Sequence, residues 1–326
     1  MRKFLTSIVL SLICVASGAQ QFGFQFEGNL KKITIPVDVL NNLIVVPVVL
    51  NDQLSLKFIL DTGVRTTILT QKTYSDILKL TYSKEIFVSG PGGKKAAAYV
   101  TDNVRLDLPG VRGNGHSMLV LEEDYLELRN YLGAEVHGIL GYEIFSRFIV
   151  QMDYERKRLV LYAPSHFKKK RRYQPLKISI EDTKPFVTAS VSMNGDVEIL
   201  TKLLIDTGAS HGLMLQPGSR EEIVVPEPNI NSTIGRTLGG IITGKIGRIG
   251  SLQLGKYKLN NPIANFPDTK SQQDTIIKKD LYKRNGALGG EVLSRFNIIF
   301  NFPQEVMYIK HNGSFKRPSN YDMSGI

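Results

Sequence analysis

The tripeptide Asp-Thr-Gly occurs twice in this chain of 326 residues, each time closing an apolar run: residues 58–64 read FILDTGV and residues 203–209 read LLIDTGA. One copy would be unremarked, but two in matching surroundings constrain the fold, because they imply an internal duplication and hence two similar units. Asp61 and Asp206 lie 145 positions apart. Further on, HGILGYEIFSRF (137–148) repeats as NGALGGEVLSRF (285–296), with seven identities across the eleven residues 138–148 and 286–296. The upstream flanks agree as well: LSLKFILDTG matches ILTKLLIDTG, and NNLIVVPVVLN matches KPFVTASVSMN. Two lobes are therefore expected over 30–165 and 173–312, joined by a basic linker at 166–172.

The local pattern within each unit is β. LIVVPVVL, LSLKFIL, FVTASVSM and RLVLY are short runs rich in branched residues and are punctuated by Gly, Pro, Asn and Asp. Residues 73–80, 143–148 and 291–296 read as short helices. No long amphipathic helix alternates with the strands, which excludes a doubly wound sheet.

The doubled tripeptide also points to a chemistry. An apolar strand delivers an Asp to its end, a small Thr can donate and accept, and Gly lets the backbone turn and a second copy come close. Two such turns facing one another place two carboxyls side by side, where repulsion lets the pair hold one proton. One carboxylate can then deprotonate a water while the other protonates a carbonyl oxygen.

At these residues the chain resembles the pepsin-like and retropepsin-like aspartic proteases. The resemblance implies an all-β, bilobal acid-protease fold, with two β-barrel lobes related by a pseudo-two-fold axis and the active cleft between them. Carried over residue by residue, Asp61 and Asp206 would be the catalytic pair of an aspartic endopeptidase. Thr62 and Thr207 would brace the loops, and Gly63 and Gly208 would permit the turns. Ser210 stands where the family places a hydroxyl that bonds the carboxylate. Ile139-Leu140-Gly141 and Ala287-Leu288-Gly289 would pack beneath the two loops. The implied partner is a peptide or unfolded protein, and neither a cofactor nor a metal is implied. Both halves lie on one chain, so a monomer suffices. The family folds a hairpin flap over its substrate, for which residues 89–100 and 236–247 are the candidates. The first loop departs from the family pattern at Val64-Arg65. An Arg65 turned inward would lower the Asp61 pKa, whereas an Arg65 turned outward would leave bracing to Thr66 or Thr67. This departure keeps a second reading in view, a catalytically inactive peptide-binding protein of the same fold.

Composition narrows the setting. Arg2 and Lys3, an apolar stretch over 4–15 and small residues at 16–19 read as a signal peptide spanning 1–19, so the protein is expected to be exported, in the bacterial periplasm or secreted. No apolar stretch is long enough for stable membrane insertion as a helix. The single cysteine, Cys14, lies inside that segment, which leaves no thiol or disulfide chemistry for the remainder. Formal charge is +11, with its densest cluster at KKKRR (168–172). No nucleic-acid recognition motif accompanies the cluster, so it reads as a solvated linker and nucleic acid is not an expected partner. GASHG (208–212) fits a serine-hydrolase elbow, but only His311 follows it and no α/β alternation surrounds it. The five histidines, His116, His137, His166, His211 and His311, show no metal-ligand spacing.

Overall fold

The computed structural model describes residues 22–90, 92–194, 197–268 and 284–319. The signal peptide expected over 1–19 lies outside the described residues. Among the described residues the chain forms 26 strands and four short helices, Lys72–Ile77, Leu128–Leu132, Tyr142–Arg147 and Gly290–Leu293. The architecture is all-β and two-lobed. None of the helices is long and apolar enough to cross a membrane.

Each lobe repeats the same wiring. In the first, strand Leu54–Leu60 pairs antiparallel with Leu43–Leu50 and parallel with Gly138–Leu140. In the second, Ile199–Ile205 pairs antiparallel with Lys184–Ser192 and parallel with Gly286–Leu288. The entry turns also correspond. Asn41-Asn42 and Asp182-Thr183 both have positive φ at their two central residues, the backbone that a tight two-residue hairpin requires. Pro47 sits inside a strand without penalty because the flanking partners, Asp38–Leu40 and Leu106–Asp107, pair only with 43–45 and 49–50 on that edge. The missing N–H therefore faces a gap in the ladder.

The lobes are joined through one continuous sheet. Strand Ile149–Asp153 pairs antiparallel with Phe296–Asn301, and the pairing extends outward to Arg158–Tyr162 and Lys32–Pro36 on one side and to Val306–His311 and Gln174–Glu181 on the other. Gln151 lies opposite Ile299, its own counterpart in the repeat, so the pseudo-two-fold axis passes between these residues. Every residue of the two central strands is buried. Both faces of the joint sheet are covered, which is why those strands lack an apolar–polar alternation. One face meets the main core, and the other carries Ile149, Val160, Tyr162, Ile299 and Tyr308 with Phe167 and Tyr173 packed on them.

The basic linker is built into this joint. Lys168, Lys169, Arg171 and Arg172 are exposed, as a solvated segment should be, but Lys170 is not. Its Nζ donates to Gln151 Oε1 at 2.7 Å, and the Tyr162 hydroxyl donates to the same oxygen at 2.9 Å. The one polar side chain at the axis is thus satisfied by a residue from the segment connecting the lobes, and burial pushes the Lys170 ammonium below its ordinary pKa.

Candidate active site

The two Asp-Thr-Gly turns are held by matching backbone contacts. Strands Leu54–Leu60 and Ile199–Ile205 each end in three buried residues, so the aspartate that follows emerges at the edge of the core. The Asp61 N–H donates to Leu140 O, and the Asp206 N–H donates to Leu288 O, both at 2.9 Å. A methyl group on Gly141 would overlap Val64 O, and one on Gly289 would overlap His211 O. The segments Ile139-Leu140-Gly141 and Ala287-Leu288-Gly289 therefore lie directly beneath the loops, and only glycine admits that approach.

The loops are also locked to each other across the axis. Thr62 Oγ1 donates to Ile205 O at 2.6 Å and accepts from the Thr207 N–H at 3.1 Å. Thr207 Oγ1 donates to Leu60 O at 2.8 Å and accepts from the Thr62 N–H at 3.0 Å. Both threonines are fully buried. Four buried hydrogen bonds thereby fix the separation of the lobes at the point where the carboxyls sit, and each hydroxyl uses both its donor and its acceptor capacity.

Asp61 and Asp206 meet. The position a β-carbon would take on Gly63 is 3.1 Å from Asp61 Oδ1 and 3.5 Å from Asp206 Oδ1, and one on Gly208 would overlap the Asp61 carboxyl. Asp61 is buried and Asp206 is partly buried. Burial, followed by the neighbouring Asp206 carboxylate, pushes Asp61 from 3.8 up to about 8. The N–H groups of Gly63 and Gly208 favour its ionised form and oppose that shift without cancelling it.

The loop positions after the glycines behave differently from the family pattern. Arg65 points away from the carboxyls to Asp182 of the other lobe, 3.4 Å away, and both side chains are largely exposed at 69% and 76%. It takes no part in shifting Asp61, whose pKa is raised rather than lowered. Neither Thr66 nor Thr67 replaces it: the Thr67 hydroxyl is buried without a hydrogen-bond partner. Asp61 is held by backbone N–H groups instead, with Gly63 N at 2.6 Å from Oδ1. Ser210 is likewise not on its carboxylate. Its hydroxyl bonds Tyr131 of the opposite lobe, while Asp206 Oδ1 accepts from Gly208 N at 3.1 Å.

Sequence reasoning did not single out three further contacts. His211 sits behind the second loop with a buried Nδ1 that lacks a partner. Burial lowers its pKa, the Asp206 carboxylate opposes that change, and Arg284 reinforces it. Tyr131 reaches across to Ser210, and nothing local in its sequence marks it for that role. The third contact is between hairpin tips. The hairpin Lys84–Ser89/Lys95–Val104 meets the hairpin Asn229–Thr237/Gly240–Arg248 across the lobe boundary, with Lys94 N–H donating to Gly239 O at 3.0 Å. Leu238, at the second tip, packs on the first lobe's cluster around Val64, Ile68 and Ile139, and Arg236 pairs with Glu127 at 3.0 Å. Both candidate flaps thus contribute to a shared arch.

The rival motifs do not assemble. His311 packs on Tyr257 and Phe315 while Ser210 bonds Tyr131, so the two do not form a couple. His116 bonds Glu143 in the first lobe, and His137 Nδ1 accepts the Lys57 N–H at 3.1 Å. Among the described residues no group of three or more His, Cys, Asp or Glu side chains could hold a metal ion.

Comparison with known proteins bears on the same two regions. A search of curated proteins finds no match. The family described as aspartyl protease matches twice, over residues 46–144 and again over 189–281, and each match contains one Asp-Thr-Gly turn and the strand that leads into it. With both halves matched and the two turns interlocked, the chain belongs to the aspartyl protease family.

Proposed function

We propose that this protein is an aspartic endopeptidase that hydrolyses peptide bonds with water activated between Asp61 and Asp206. The observation that carries the reading is the meeting of the two carboxyls, with the buried Asp61 pushed up to about 8. Such a pair keeps one proton at neutral pH. The raised Asp61 carboxyl holds it, which leaves Asp206 to act as the base. Asp206 takes a proton from water as the water oxygen bonds to the substrate carbonyl carbon, and Asp61 gives its proton to the carbonyl oxygen. In the resulting tetrahedral diol, Asp206 gives the proton it took to the leaving nitrogen and Asp61 takes one from a diol hydroxyl as the C–N bond breaks, so the acid and amine depart and the pair regains its starting state. Positioned proton transfer of this kind contributes about 10²–10⁴ in rate. The substrate class is a peptide or unfolded protein in an extended conformation under the two hairpins. The acting form is a monomer, exported to the periplasm or beyond.

One observation favours a second reading, a peptide-binding protein without turnover: Arg65 occupies the position of a bracing hydroxyl, and the Thr67 hydroxyl beside it bonds nothing. The experiment that decides is cleavage of an unfolded protein by wild type, Asp61→Asn and Asp206→Asn between acidic and mildly alkaline pH. Loss of at least about 10²-fold in both variants, with wild-type inhibition by a statine-type compound, is the expected result. An inactive wild type that binds peptides stoichiometrically would overturn it.

A further inference from the structure

The two lobes share a wiring diagram, so each position beside the cleft has a counterpart that the strand registers identify. In the first lobe Ile139 and Leu119 both lie opposite Ile68, and Ile86 lies opposite Ala98. In the second lobe Ala287 and Asn265 both lie opposite Met214, and Ser232 lies opposite Gly244. Ile139 therefore corresponds to Ala287, Leu119 to Asn265, and Ile86 to Ser232. Val64, immediately after the first Asp-Thr-Gly, corresponds to Ala209. At all four positions the first lobe carries a branched aliphatic side chain, and the second carries a smaller or polar one.

The location of the first-lobe set gives this difference a consequence. Val64, Ile86, Ile139 and Leu119 belong to a single apolar cluster that runs from the loop holding Asp61 up to Leu238 at the tip of the opposite hairpin. The arch deepens the imbalance. Leu238 adds an apolar side chain to this cluster, while the other hairpin returns Lys94, whose aliphatic stem lies against Gly240. On the second-lobe side Ala287 packs with Phe186, Leu204 and Met214, but the corresponding flank offers the Ser232 hydroxyl and the largely buried Asn265 amide.

We propose that the cleft is asymmetric in what it accepts: the first-lobe side selects a large apolar side chain, and the second-lobe side selects a small or polar one, with Ile86 and Ser232 as the specificity-determining pair. The proposal rests on the reading of this cleft as a peptide site. The physical basis is area and desolvation. A branched aliphatic wall rewards each buried methylene of a substrate side chain, whereas a wall bearing a hydroxyl and an amide is penalised when an apolar group strips water from it without replacing the hydrogen bonds. Across one pocket, a single extra or missing methylene discriminates by about 10–200-fold.

The test uses the full-length protein and a synthetic library of unstructured peptides, read in two ways: cleavage sites from wild type by mass spectrometry, and enrichment on immobilised Asp206→Asn, which needs no turnover. The expected result is at least about tenfold selection for Leu, Ile, Met or Phe at a position on one side of the scissile bond, and for small or polar residues at the matching position on the other. Ile86→Ser then relaxes the first preference alone, Ser232→Ile creates an apolar preference at the second position alone, and the double variant narrows the difference between the two sides. Enrichment without cleavage would overturn the enzyme reading while still scoring the preference. Cleavage or enrichment with the same preference on both sides, or both single variants altering the same position, would overturn the asymmetry. Neither cleavage nor enrichment would overturn both.

Discussion

Replacing Asp61 by Asn should change how stability depends on pH, and the structure sets the size and sign of the effect. The Asp61 carboxyl rises from 3.8 to about 8 on folding because burial and Asp206 both disfavour its charge. Across that window the folded chain holds a proton that the unfolded chain has released, so folding is progressively disfavoured as pH climbs. Each unit contributes about 1.4 kcal/mol, so the interval of about four units amounts to about 6 kcal/mol as a ceiling. Water entering the cleft and relaxation of Asp206 reduce it. Asn at 61 carries no charge and still presents Oδ1 to the Gly63 N–H. The variant should therefore match wild type near pH 4 and become more stable by several kcal/mol near pH 8, with wild type losing stability over that interval and the variant keeping it. Urea unfolding followed by far-UV circular dichroism suits a chain without tryptophan. Asp206→Asn should give a smaller gain, because it removes the repulsion but leaves Asp61 buried, and the double variant should gain little over Asp61→Asn alone. Parallel pH curves for wild type and Asp61→Asn, separated by less than about 1 kcal/mol at every pH, would refute the claim that the carboxyls are coupled in a buried site.

Other outcomes follow from the same geometry. Thr62→Val removes a hydroxyl that serves Ile205 O and Thr207 N, leaving a buried acceptor and donor unpaired; it should cost about 3 kcal/mol in urea unfolding, and a cost below about 1 would contradict the interlock. Gly208→Ala places a methyl group into the Asp61 carboxyl, so it should abolish cleavage while the rest of the fold survives by circular dichroism. Arg65→Ser should leave the pH–rate profile where it is, because Arg65 pairs with exposed Asp182 and not with Asp61; a displaced profile would place the guanidinium at the dyad after all. In wild type, activity should persist through neutrality and fall as pH passes about 8, where Asp61 gives up the shared proton. A fall completed below about pH 5 would contradict the raised carboxyl.

The duplication, the all-β class and the meeting of Asp61 with Asp206 are legible in the chain itself. They depend on short-range patterns that recur: an apolar strand before each aspartate, a glycine where the backbone must turn, and a second glycine 80 or so residues later on which the loop rests. The short helices expected after these glycines also form, at Tyr142–Arg147 and Gly290–Leu293. Such features are local in sequence, and a second copy confirms each one. The direction of Arg65 is not of this kind. Whether it faces Asp61 or Asp182 depends on where the turn at 182–183 of the other lobe lies, and nothing near residue 65 encodes that. Ser210 presents the same difficulty, since its partner is Tyr131 from a segment 79 residues away. Lys170 reads as one charge in a solvated run until the joint sheet supplies Gln151 for it to bond. The rise of the Asp61 pKa, the meeting of the hairpin tips and the unequal walls of the cleft likewise exist only once the lobes are docked. Periodicity and turn chemistry report what a residue's own backbone will do. Which way a side chain turns, and which proton it keeps, depends on surfaces brought together from opposite ends of the chain.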